Sequence, residues 1–194
     1  MSLRELPLFP LSTVLYPQGP LPLRIFEPRY VDMVRRCMKT DTGFGVVLIV
    51  RGREAGGAAA TAAIGTEARI VDFDQLEDGL LGLTCIGQQR IRVERAWQQA
   101  DGLNVGAVED LPADPAIPVP SDCAELRAVI EKVWPELSGP YAHVPPRFDD
   151  AGWVANRLAE LAPLDVGIRQ SLLEASDPAE RLRVLAPLIR VHED

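Results

Sequence analysis

Lysine is almost missing from this sequence of 194 residues. Only Lys39 and Lys132 occur, so nearly all positive charge is arginine. Acidic residues outnumber basic ones and the net charge is −8. A general nucleic-acid binder carries a basic surplus, so this balance argues against nucleic acid as a partner. Cysteine is sparse too. Cys37, Cys85 and Cys123 are odd in number and far apart, which fits neither a disulfide framework nor zinc-ligand spacing. They read as small buried apolar residues in a reducing compartment. No apolar run approaches the length of a membrane span, and Met1 to Glu5 leads into a strand with no signal-peptide core. These features point to the cytoplasm and away from a membrane. No Gly-x-x-x-x-Gly-Lys-Ser/Thr phosphate loop is present, so no ATPase of that kind is expected.

What is present is ordinary globular material, 47% hydrophobic and 25% charged. The length suits one compact domain or two small ones. The chain is organised around Leu21 to Cys37. Pro22 fits an edge strand, and Leu23 and Ile25 alternate with Arg24 as a half-buried strand requires. Pro28 then suits the first position of a helix. Tyr30, Met33, Val34, Cys37 and Met38 recur at helical spacing and define one apolar face, with an end near Lys39. Arg24, Glu27 and Arg29 sit inside this frame and read as an internal ion-pair or capping network, with a ligand site as the other reading.

Residues 1–110 read as mainly β with this one early helix. Leu3 to Leu8 is a strand that the prolines stop. Phe44 to Arg51 is nearly continuous in apolar residues, as a strand covered on both faces would be. Ala55 to Ala63 is small and reads as a mobile loop or hairpin tip. Ile64 to Phe73 alternates, Asp78-Gly79 and Asp101-Gly102 signal hairpins, and Gly87 permits a turn or bulge. Residues 111–120 form a stiff proline-rich linker. From 121 to 194 the hydrophobic period changes to that of helices. Leu126, Val129, Ile130, Val133, Trp134 and Leu137 line the first. Val154, Leu158 and Leu161 face inward on the second, and Ile168 and Leu172 on the third. Asp177-Pro178-Ala179-Glu180 opens the last, where Leu182, Leu185, Leu188 and Ile189 face inward and Pro187 should kink or shorten the helix.

Three stretches carry a family likeness. Leu6-Pro7-Leu8-Phe9-Pro10-Leu11, then Val14-Leu15-Tyr16-Pro17, then Leu21 to Tyr30 resemble the opening of the amino-terminal domain of Lon proteases. Arg24, Glu27, Pro28, Arg29 and Tyr30 form its structural signature here. Weaker echoes occur at Phe44-Gly45-Val46-Val47, Ile64-Gly65-Thr66, Gly87-Gln88-Gln89-Arg90 and Asp177 to Leu182. The resemblance implies an α+β fold: a PUA-like, partly closed β-barrel followed by a C-terminal helical bundle. It implies a stand-alone module that recognises protein substrates and contributes to assembly, without the ATPase and serine–lysine protease domains of full-length Lon.

The residues themselves offer no catalytic constellation, no cofactor site and no metal site. His143 lies in an aromatic loop and His192 in the tail, and neither has a second ligand at a recognisable spacing. Asp149-Asp150 reads as a helix cap before it reads as a metal pair. Candidate peptide contacts are Trp97, Tyr141, His143, Phe148 and Trp153, in a groove between the two parts. The partners would be unfolded or peptide segments of proteins, together with a protease or ATPase. Two other readings stay open. The barrel suggests RNA binding, which would need a contiguous arginine surface at Arg90, Arg92 and Arg95. An enzyme with an unrecognised site would need a cleft holding a strongly perturbed carboxylate or His143.

Overall fold

The computed structural model describes residues 3–52 and 60–189. Most of the small-residue stretch 55–63, and His192, lie outside the described residues. The chain divides into two units, Met1–Pro112 and Ala113–Asp194.

In the first unit, β1 (Arg4–Leu11) lies between β3 (Phe44–Arg51), to which it is parallel, and β6 (Asn104–Asp110), to which it is antiparallel. β4 (Ala60–Gln75) pairs with β3 on one side and with β5 (Leu81–Gln98) on the other. β5 also pairs with β6, so the sheet bends back on itself into an imperfect ring. β2 (Pro20–Ile25) hangs outside the ring on the first half of β5. Among the described residues its outer edge pairs with no strand, as Pro22 anticipates.

The prolines do not end β1 early, contrary to the sequence expectation. Pairing with β6 covers Arg4 to Leu8, and pairing with β3 covers Leu8 to Leu11. Pro7 and Pro10 are three residues apart, so their missing N–H groups face opposite edges. Each can therefore lie toward the side on which β1 has no partner at that point. The helix α1 (Pro28–Thr40) buries Tyr30, Met33, Val34 and Cys37 against the sheet, and Tyr30 stacks on Phe9 at 4.1 Å between ring centroids. Met38 is 45% exposed, although it belongs to the same apparent stripe. At about 100° per residue it lies some 80° around the helix from Tyr30, at the flank of the buried face.

Gly87 is where two backbones nearly touch. Gln18 N–H donates to the Gly87 carbonyl at 2.7 Å, and Gly87 N–H donates to the Gly19 carbonyl at 2.9 Å. A Cβ on Gly87 would stand 2.1 Å from the Tyr16 carbonyl oxygen. The strand runs through this point with a bulge: Ala68 faces Gly87 but Thr66 faces Arg90.

The second unit is built on α3 (Ala151–Leu161), with α2 (Ala124–Val133), α4 (Val166–Glu174) and α5 (Pro178–Leu185) packed against it. Every residue from Ala151 to Ala159 is buried. The sequence suggested one inward face. The small residues Ala151, Gly152, Ala155 and Ala159 let neighbours approach the other faces as well. Asp150 caps α3 by accepting from Gly152 N–H and Trp153 N–H at 2.9 and 3.1 Å. Ile117 and Val119, in the proline-rich stretch, bond to Ala151 and Asp149 through their backbones. α5 ends before Pro187, and Leu188 is exposed instead of inward, because the helix that would have turned it toward the core has stopped.

Candidate functional site

The residues singled out in the sequence fall into separate places. Glu27 and Arg29 bind each other, 2.8 Å apart, and Arg29 also donates to the Gly102 carbonyl at 2.7 Å and lies over the Tyr30 ring. Pro28 opens α1. These contacts join the start of α1 to the turn at Gly102. Arg24 is not part of that network. It is exposed and pairs with Asp78 in the β4–β5 turn, because its position on β2 points it away from the core.

In the second unit, Tyr141, Phe148 and Trp153 surround Trp134. Ring centroids lie 5.8, 6.3 and 4.8 Å from Trp134, all edge-to-face. Trp134 was read only as part of a helical face, yet it centres this cluster. Trp153 is only 3% exposed and belongs to the core. Tyr141 and Phe148 are half-buried, and His143 is exposed. Tyr141 hydrogen-bonds Glu160, which is also paired to the fully buried Arg157 at 2.8 Å. Burial holds the Glu160 carboxyl above its ordinary range, against the pull of Arg157. Burial and the neighbouring Glu160 charge likewise raise the Tyr141 hydroxyl. Trp97 is on β5 of the first unit, partly buried and with the Arg95 guanidinium 5.2 Å from its ring centre.

A second buried polar network escaped sequence reading. Arg181, 1% exposed, donates to Asp114 and to Asn156. Arginines at inward helical positions look like breaks in an apolar stripe, and only the distant Asp114 explains this one.

The arginine surface that RNA binding would need does not form. Arg90 is 7% exposed, and Arg92 is paired with Glu109 at 3.0 Å. Asp149 pairs with Arg127 while Asp150 caps α3, so the two carboxylates do not converge on a metal. Among the described residues no group of three or more His, Cys, Asp or Glu is arranged to hold one.

One concave surface on the first unit does not follow from the sequence reading. It is a cleft of about 750 Å³ on the first unit, formed where β2 and the β4–β5 hairpin extend past the ring. Its walls include Pro22, Arg24, Asp72, Asp74, Leu76 and Thr84. At its floor Leu76 folds over Gly82, where a Cβ would stand 2.8 Å from the tip of the Leu76 side chain and would push it aside. A smaller hollow of about 210 Å³ lies beside it, against the end of α1, and Asp72 and Phe73 border both. Phe73 and Val71 are 57% and 46% exposed. The sequence places Val71 and Phe73 at the acidic end of this strand, beyond the alternating Ile64, Ala68 and Ile70, and alternation alone does not tell that they form an exposed surface.

The ring with its outlying β2, followed by helices around α3, is matched by a family model over residues 5–190: the substrate-binding domain of the ATP-dependent protease La (LON). The chain belongs to this family. A solved Lon N-terminal domain protein from Xanthomonas campestris is 40% identical and superposes with a TM-score of 0.81, covering 96% of this chain and 99% of that one. The N-terminal domain of a Mycobacterium avium complex Lon protease shares the fold, with a TM-score of 0.66 at 16% identity over 95% of this chain and 97% of that one. Among curated relatives, Lon protease 2 of Myxococcus xanthus is 28% identical over 95% of this chain and 23% of its own length. Zebrafish (Danio rerio) cereblon is 33% identical over 57% of this chain and 26% of its own length. The chain thus spans about a quarter of the curated relatives it matches. The Lon N-terminal fold also agrees with the PUA-like, α+β architecture expected from the sequence. Among the described residues no helix is long and apolar enough to cross a membrane.

Proposed function

We propose that this Lon-type domain binds unfolded or peptide segments of proteins and performs no chemistry of its own, serving as the recognition step for a protease or ATPase partner. The observation that carries the reading is the cleft beside Phe73: concave, partly apolar and rimmed by charge, as a site for polypeptide requires. The family supports it, since the matching domain is described by substrate binding. Lys39 and Lys132 are exposed on helical surfaces, which suits neither for work as a shielded catalytic base. In the second unit Tyr141, His143 and Phe148 are a further candidate contact surface, supported from beneath by Trp153. Trp97 is a candidate on the first unit.

The test is fluorescence anisotropy of one labelled protein in two states, native and permanently unfolded by reduction and carbamidomethylation. Saturable binding of the unfolded state alone is expected. Equal binding of both states, or of neither, would overturn the reading.

A further inference from the structure

β3 accompanies β4 only as far as Ala68, which faces Phe44. Beyond that point β4 continues from Arg69 to Gln75, and among the described residues β5 is its only partner strand there. Its other edge therefore offers backbone donors and acceptors that no strand of this sheet uses. All residues from Val71 to Gln75 are exposed. An extended edge of this kind is a template for one more strand.

The two faces of this edge differ in chemistry. Asp72 and Asp74 stand opposite Thr84 and Gly82, on the face that forms the large cleft. Phe73 stands opposite Leu83 and by the strand's alternation belongs to the other face, where the hollow is bordered by Cys37 and Met38, although it also reaches the rim of the cleft. An added strand has the same pleat, so its successive side chains would fall alternately against carboxylates and against apolar surface. The carboxylates are available for this. Asp72 and Asp74 accept only the neighbouring backbone N–H groups of Phe73 and Gln75, at 2.9 and 2.7 Å, and neither has an ion-pair partner among the described residues. Glu77 adds a further exposed negative charge at the same rim.

Resting on the proposed function, and deepening it, we infer that the Arg69–Gln75 edge of β4 takes up an extended polypeptide in which cationic and apolar side chains alternate. Charge excludes a second copy of the same edge as the occupant, because acid would face acid. The register shift between Ile70 and Asp72 also twists the strand there and shortens the stretch that a flat partner could follow.

The probe is a labelled peptide of about eight residues, strand length, alternating lysine and valine. Two N-methylated versions, each blocking the alternate set of amides, test for strand pairing. The set that faces β4 should weaken binding by about tenfold or more, and the other set should not. The double substitution Asp72→Lys with Asp74→Lys lies on exposed side chains, so the fold should survive, which a thermal melt verifies. It should reduce affinity for the lysine peptide by about tenfold or more and create affinity for a glutamate–valine peptide. If both methylated peptides bind like the parent, or if the reversed surface keeps its preference for lysine, the inference is wrong. If the unfolded protein still binds the reversed surface unchanged, the edge is not the site although the broader function stands. If neither the peptide nor the unfolded protein binds the wild-type chain, both readings fail. Concentration-dependent sedimentation that the charge reversal changes would assign the edge to a second copy and overturn the peptide.

Discussion

Glu27 and Arg29 grip each other across the proline that starts α1, with the carboxylate 2.8 Å from the guanidinium. The Arg29 side chain is 10% exposed and that of Glu27 is 24% exposed, so the pair is neither fully buried nor free in solvent. Because Arg29 keeps the Gly102 carbonyl when Glu27 is removed, Glu27→Ala is expected to cost about 1–2 kcal/mol, between a surface pair and a buried one. Arg29→Ala removes both bonds and the packing on Tyr30, and should cost more. Urea denaturation of the two variants checks the order. A Glu27→Ala midpoint equal to wild type would move this residue out of the structural network.

The Arg181 guanidinium has less room for error. Asp114→Ala leaves a cation at 1% exposure with Asn156 as its remaining neutral partner. A loss of about 3–5 kcal/mol is expected. The double variant Asp114→Leu with Arg181→Met removes the charge along with its partner and should recover much of that loss. Equal destabilisation in the single and double variants would show that Asp114 does not compensate the arginine.

At Gly87 the expectation concerns shape alone. Gly87→Ala puts a methyl group 2.1 Å from a backbone oxygen, and backbone cannot swing aside as a side-chain tip can. The cost should be at least about 1–3 kcal/mol. Gly167→Ala is the control, because its Cβ would meet nothing within 4 Å. Chemical melts should separate the two clearly, and similar midpoints would mean that the Tyr16–Gly19 turn moves away at little cost.

Alkaline pH probes the core. Burial pushes the Cys85 thiol up from 9.0 to about 12. The folded state therefore holds this proton where the unfolded chain releases it. The associated stability is complete below the unfolded value and is lost as pH rises from about 9 through about 12. Urea midpoints measured between pH 8 and pH 11 should fall more steeply for wild type than for Cys85→Ala, which lacks the titrating group. Parallel slopes would show that this thiol is not the group responsible.

Sequence reading succeeded where the cause was local. Pro28 and the helical spacing from Tyr30 to Cys37 placed α1, and Asp150 and Asp177 marked caps that do accept backbone N–H groups. It failed where the cause lay far along the chain. Arg90 reads as surface on a period of two, yet it is buried. Arg181 is intelligible only through Asp114, 67 residues away. The aromatic list missed Trp134, because a tryptophan on an apolar helical stripe does not announce which rings it will meet. The cleft is harder still to read. It depends on where β3 stops pairing with β4, and register is a property of two strands together.

Closure of the ring also sets an order of events during synthesis. Arg4 at one end of β1 binds Asp110 at the end of β6, and 106 positions separate them. β1 leaves the ribosome long before β6 exists. Translation proceeds at roughly 5–20 residues per second, so the nascent β1 waits for seconds with one flank unpaired. Its parallel partner β3 arrives sooner and can shelter Leu8 to Leu11. Among the described residues Arg4 to Pro7 pair with no strand earlier than β6, and only Arg4 has an earlier contact, the Glu67 carboxylate. A charged residue at each of Arg4 and Glu5 gives that waiting segment its protection against pairing with a neighbouring nascent chain.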